Sequence, residues 1–198
     1  MKVLDSKLYR IVEVSVNFFL LNLLWLLACL PVITFFPSTI AMFGVIRDWH
    51  MKKEVGVMQP FFQHFLKNFK VSVGLTIIWA PLTVILFTNI QLLQPTASIV
   101  GLVMTVVIGF ILLLFASTSV YLIPVTVHFE LPMIQLIQNS FFIAISQIKY
   151  TMLSLALLFI AGYLIYQIPI MMIFITSLVS YFIYVSCYEA FKKVGAVY

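Results

Sequence analysis

Residues 22–46 read NLLWLLACLPVITFFPSTIAMFGVI, with no charged side chain and with prolines at Pro31 and Pro37. The charge-free run starts earlier still, at Val14. Built as one straight helix, Val14 to Ile46 would be about 50 Å long, whereas about 20 helical residues cross a hydrocarbon core of about 30 Å. Tilt absorbs that excess poorly. Each proline removes a backbone donor and disfavours helix at the residue before it. The segment 31–37 therefore predicts a break. Pro37-Ser38-Thr39 then suits the first turn of a new helix running to Lys53. The stretch is expected to be a hairpin with arms at 11–31 and 37–53, the second one short. The alternative is a single crossing, which gives five spans in all.

The rest of the chain agrees with a membrane solvent. Of its 198 residues, 64% are hydrophobic and 9% charged, against roughly 45–50% and about 25% in soluble domains. One compact, all-α polytopic domain is expected, with no room for a separate soluble one. Val71 to Val127 is charge-free and predicts spans at 71–92 and 98–124, with a turn at 91–97. Tyr150 to Tyr188 divides at Gln167-Ile168-Pro169 into spans at 150–167 and 169–188 if Pro169 opens the second. Three hairpins, six hydrophobic helices, follow. Two further segments are expected to lie along the bilayer. In Pro60 to Lys70, Phe61, Phe62, Phe65, Leu66 and Phe69 alternate at helical spacing with Gln63, His64, Lys67, Asn68 and Lys70, an amphipathic pattern. Leu131 to Lys149 shows a weaker version.

Charge sets the orientation. The turns at 31–37, 91–97 and 167–169 contain no Lys, Arg, Asp or Glu. Every charged residue falls on the other side, including Lys2, Lys7, Arg10, Arg47, Lys52, Lys53, Lys67, Lys70, Lys149, Lys192 and Lys193. The positive-inside bias makes that side, and both termini, cytoplasmic. The net charge of +5 then reflects loops beside anionic lipid, not nucleic acid. Cys29 and Cys187 lie in apolar segments, as buried thiols do. No small-residue cleavage site follows the first apolar segment, so it is expected to stay as an anchor.

Catalytic patterns are missing from the sequence. It has no G-x-x-x-x-G-K-[ST] loop, no H-E-x-x-H, no G-x-S-x-G and no Cys/His set with metal spacing, so neither enzyme chemistry nor a cofactor is expected. His50, His64 and His128 are scattered. No charged residue falls in the middle of a predicted span, which leaves little for ion coupling. Asn22 is either an interhelical hydrogen-bond anchor or a locally packed amide. Gly101, Thr105 and Gly109 form a small-residue stripe, read first as packing within the chain and alternatively as the interface of a homo-oligomer. Pro81 predicts a kink. Glu130 is a partner for Arg47, Lys67 or Lys149, a contact for another protein, or a solvated acid near a helix N-terminus. Trp49, beside Arg47, Lys52 and Lys53, reads as an interfacial anchor.

Several of these segments together resemble the YesL family of small bacterial membrane proteins. They are Asn22-Leu-Leu-Trp-Leu-Leu-Ala-Cys-Leu-Pro-Val-Ile33, then Pro37-Ser-Thr-Ile-Ala-Met-Phe43, then Phe62-x-x-Phe65-x-Lys67-Asn68-Phe69-Lys70, and His128-Phe129-Glu130. Length and hydropathy agree along nearly the whole chain. Phe35-Phe36 departs from the small residue or glycine common there. The resemblance implies a place in the bacterial plasma membrane beside carbohydrate ABC importers, as a non-enzymatic accessory or regulatory subunit. The basic, aromatic segments 47–70 and 128–149 would then dock on permease or ATPase subunits. Arg47, Phe65, Lys67, Asn68, Lys70 and Glu130 are the residues to watch, with anchoring on the lipid surface as the alternative role. The competing reading is a small transporter or channel for a neutral solute such as a sugar, with Trp79, Asn89, Gln91 and Tyr121 as its polar and aromatic groups.

Overall fold

A computed structural model describes residues 2–53, 55–92 and 99–195. Among them are seven α-helices and no strand: α1 (Lys2–Ala28), α2 (Phe35–His50), α3 (Met58–Leu92), α4 (Ile99–His128), α5 (Met133–Ser146), α6 (Ile148–Gln167) and α7 (Met172–Lys193). Five stretches are long and apolar enough to cross a membrane: Tyr9–Ala28, Met58–Asn89, Gly101–His128, Ile148–Gln167 and Pro169–Lys193. The protein is a multi-pass helical membrane protein.

The opening stretch does break and turn back. α1 ends at Ala28, and a single 3-10 turn, Val32–Thr34, leads into α2. The Thr34 hydroxyl lies 2.6 Å from the carbonyls of both Ala28 and Pro31. It thereby serves a carbonyl that the helix end leaves without an intrahelical partner. Pro37 falls in the first turn of α2, where its missing N–H costs no helix bond. The Trp25 indole donates to Thr39 Oγ1 at 3.1 Å, and lower down Phe18 meets Trp49 edge-on at 5.2 Å. The two helices are therefore antiparallel, and Trp49 is an aromatic packing partner of α1.

The second arm is shorter than the expected 37–53. With 16 residues it rises about 24 Å, less than a hydrocarbon core. Five helices, not six, meet the length of a span. The physical reason lies in the surroundings of α2: every residue from Pro37 to Ile46 is buried. It packs against α1, α3, α4 and α7, so its apolar character serves protein and not lipid. The chain still reverses direction there, which neither a straight single crossing nor a lipid-facing arm describes.

Successive contacts fix the alternation. Asp48 meets His64 while Ile40 shares a cluster with Leu75, so α3 runs antiparallel to α2. Lys67 meets Glu130 while the Trp79 indole donates to Ser119 at 2.8 Å, so α4 returns beside α3. Phe18 meets Tyr181, and Phe19 meets Phe174, so α7 descends beside α1. All charged side chains among those described thus lie toward one end of the bundle. The turns at 28–34 and 167–171 lie at the other and carry none. The remaining charge-free turn, 91–97, falls outside the described residues from position 93, as do the side chains of Lys2, Lys7 and Gln91.

Two other expectations are corrected. The amphipathic segment Pro60–Lys70 is not a separate helix along the bilayer. It forms the first turns of α3, 35 residues long. No breaker separates Lys70 from Val71. Asn68 donates to the His64 carbonyl and Ser72 to that of Asn68, and both bonds follow the helix through the junction. Two members of the Gly101, Thr105, Gly109 stripe do not pack against another helix among the described residues. Thr105 and Gly109 are exposed, and a Cβ added at Gly109 would meet nothing within 4 Å. By contrast α5 is a short helix as expected: Glu130 before it and Tyr150 after it both reach lysines, Lys67 and Lys193, at the charged end.

Candidate functional site

The last turn of α2 aims three side chains at three neighbours. Asp48 points to α3, where its Oδ2 lies 2.8 Å from His64 Nε2, while Lys53 Nζ donates to Oδ1 at 3.0 Å. Two backbone features permit this. Gly44 lies one turn earlier, and a Cβ there would stand 2.4 to 2.8 Å from the His64 side chain; only glycine lets α3 approach so closely. Lys52 has a φ of 57°, a left-handed conformation that ends the helix and turns Lys53 back onto Asp48. Burial pushes the Asp48 carboxyl up. The bonds from His64 and then Lys53, with their charges, outweigh burial and leave its pKa below the ordinary value.

His50 points to α7, with its ring 4.6 Å from that of Tyr188 and 5.6 Å from that of Tyr184. Burial, then the charge of Lys192, pushes the His50 pKa down. His128 reaches the same tyrosines from α4, 5.8 Å from the Tyr188 ring and with Nδ1 3.4 Å from the Tyr184 hydroxyl. The fold thus sets His50 and His128 against the same pair of tyrosines, while His64 is held by Asp48.

Arg47 points between α3 and α4. There it lines a cavity of about 260 Å³ with His64, Lys67, Asn68, Thr126, His128 and Glu130, closed by Val71, Val127, Phe129, Leu131 and Leu136. Its Nε is buried and has no hydrogen-bond partner. Leaving a buried donor unsatisfied costs about 1–3 kcal/mol, more when it is charged. Among the described residues no carboxylate lies within ion-pair distance of Arg47. Glu130 feels its charge but is already held by Lys67. The hydrogen bond and charge of Lys67, and more remotely Arg47, hold the Glu130 carboxyl below its ordinary range. Of the readings open for Glu130, the ion pair with Lys67 is the one found. Two further cavities among the described residues are mainly apolar. One, of about 490 Å³, lies among Trp79, Ile111, Phe115, Ile137 and Phe141.

Arg47, Lys67, Asn68 and Glu130 therefore come together, with His64 and His128. Phe65 stands beside them in an aromatic ladder with Phe61 and Phe69. Lys70 is exposed and outside the lining. Asn22, Pro31 and Pro37 lie elsewhere. Asn22 is an interhelical anchor, donating to the Phe174 carbonyl at 3.1 Å and accepting from the Ser177 N–H at 2.7 Å. Its partners are backbone groups of α7. Trp79 and Tyr121 do not share a cavity: Trp79 bonds Ser119, and Tyr121 accepts from Thr151. Asp48 was not singled out by sequence reasoning, although it is the one acid between Glu13 and Glu54.

A family described as "Protein of unknown function, DUF624" matches residues 18–90. The chain is 30% identical over 183 residues to "Uncharacterized protein YteU" of Bacillus subtilis (strain 168), covering 89% of this chain and 81% of the relative. It is also 30% identical over 178 residues to "Uncharacterized protein YesL" of the same organism, covering 87% and 84%. The chain belongs to the YesL family. No solved structure matches it. Two of the segments that carry the YesL-family resemblance meet in space: the α3 segment supplies Lys67 and Asn68, and His128-Phe129-Glu130 lines the same cavity.

Proposed function

We propose that this YesL-family protein is a non-enzymatic accessory or regulatory subunit of a bacterial carbohydrate ABC importer. It sits in the plasma membrane with both termini in the cytoplasm and docks on permease or ATPase subunits through its charged end. One observation carries the reading: among the described residues, every charged side chain gathers at one end of the bundle, and the turns at the other end carry none. The positive-inside bias favours the cytoplasm for the basic end. The importer is the partner that the family resemblance implies. Lys67 and Glu130 have 62% and 83% of their side-chain surface open to a partner. Lys70 is exposed beside them, as are the apolar Phe62, Leu66 and Phe69. Exposed apolar and charged groups side by side are what a membrane-level docking surface offers.

The test is purification in mild detergent from the native host, for the natural chain and for Lys67→Glu with Lys70→Glu. Importer subunits should come with the first and be lost with the second. Recovery of the natural chain alone, together with solute flux in liposomes, would overturn the proposal in favour of a small transporter.

A further inference from the structure

We infer that the cavity between α2, α3 and α4 is a binding site for a phosphate group, with Arg47 as its principal ligand. This goes beyond the docking proposal, with which it shares Lys67 and Glu130 but not Arg47. The cavity of about 260 Å³ is smaller than the roughly 300–1,000 Å³ of sites that enclose a drug-sized ligand. It suits a small anionic group and excludes an oligosaccharide.

Its donors match such a group. Arg47 lines the cavity, and among the described residues no hydrogen bond or ion pair holds its guanidinium, the buried Nε included. A guanidinium held by nothing else can grip two oxygens of one oxyanion. Lys67 supplies a second cation, and Asn68, His64 and His128 line the cavity too; the Thr126 hydroxyl is spent on the Leu122 carbonyl, and Asn68 and His64 each already hold one partner. Among the described residues, the nearby carboxylates do not fill the site. Asp48 is held by His64 and Lys53, and Glu130 by Lys67. Glu130 faces the cavity as well and would oppose an anion. Its pairing with Lys67 offsets that charge. Phosphate fits better than a carboxylate because three or four oxygens can use donors converging from three helices.

A phospholipid headgroup and a soluble phosphate ester share this chemistry, and two arms of one experiment separate them. The purified chain is titrated in detergent with inorganic phosphate against chloride at constant ionic strength. In parallel it is placed in nanodiscs of phosphatidylcholine with one-fifth phosphatidylglycerol, and the retained lipid is identified by native mass spectrometry. Phosphate binding identifies a soluble ester as the ligand class. Retention of about one phosphatidylglycerol per chain, without phosphate binding, identifies the headgroup. In either case Arg47→Gln should weaken binding about tenfold or more, and Arg47→Lys should do so less. Lys149→Gln, an exposed cation away from the cavity, should change nothing. Should Arg47→Gln fail to fold, Lys67→Gln alters only an exposed side chain and should weaken binding by about threefold or more. The inference is overturned if neither probe binds, if the Arg47 and Lys67 variants bind as well as the natural chain, or if Lys149→Gln loses as much.

Discussion

Two ionic contacts at the charged end use the same chemistry and do different things. Asp48 with His64 and Lys53 ties α2 to α3, and its carboxylate has only 9% of its side-chain surface exposed. Lys67 with Glu130 ties α3 to the end of α4, in the open. Exposed pairs contribute about 0–1 kcal/mol, while breaking a buried one by removing a partner costs about 3–5 kcal/mol. The first contact is a fastener set at one close approach of two helices. The second is a surface feature that a partner or ligand can rearrange at small cost. Within one patch of charge, burial decides which residues hold the fold and which remain available.

Breaking the fastener should produce the largest effects. Gly44→Val would drive side-chain carbons into His64 and force α3 off α2; a loss of about 3 kcal/mol or more is expected, visible as a large drop in melting temperature in detergent. Asp48→Ala should cost about 3 kcal/mol by leaving the mostly buried His64 without its partner. The sign of the pH effect follows. The Asp48 pKa is lowered on folding, so its stabilisation is present above the ordinary value of 3.8 and fades as pH falls below that. The natural chain should lose melting temperature on acidification past about pH 4, and Asp48→Asn should flatten that limb. Asn22→Leu removes two bonds between α1 and α7 and should cost about 1–2 kcal/mol in detergent unfolding. At the small end, Glu130→Gln should leave the melting temperature nearly unchanged, within about 0.5 kcal/mol.

The sequence made some of this readable and hid the rest for a physical reason. Pro31, Pro37 and Thr34 act locally, so the hairpin and its turn could be anticipated. The gathering of charge at one end also follows from linear order once the reversals are placed. The difference between α2 and a lipid-facing span could not be read, because both are apolar all round; only the neighbours distinguish Ile40, enclosed by α3 and α4, from Val106, which is exposed. The same ambiguity left open whether the Gly101, Thr105, Gly109 stripe packs within the chain or faces outward, where Thr105 and Gly109 lie. Helix periodicity identified the polar side of 60–70 but not its continuation into α3, since nothing in the pattern marks whether a helix bends at the interface. Arg47, Lys67, Asn68 and Glu130 were singled out individually. Their convergence depends on the antiparallel order of α2, α3 and α4. Asp48 escaped notice because its role rests on Gly44, four residues away and without a side chain to signal it.

The division between fastener and open surface is tested most directly by melting Asp48→Ala and Lys67→Glu with Lys70→Glu side by side in the same detergent. Asp48→Ala should melt several degrees below the natural chain, and the double lysine variant should melt within a degree or two of it. The reverse order, with the lysine variant unstable and Asp48→Ala unchanged, would contradict the account.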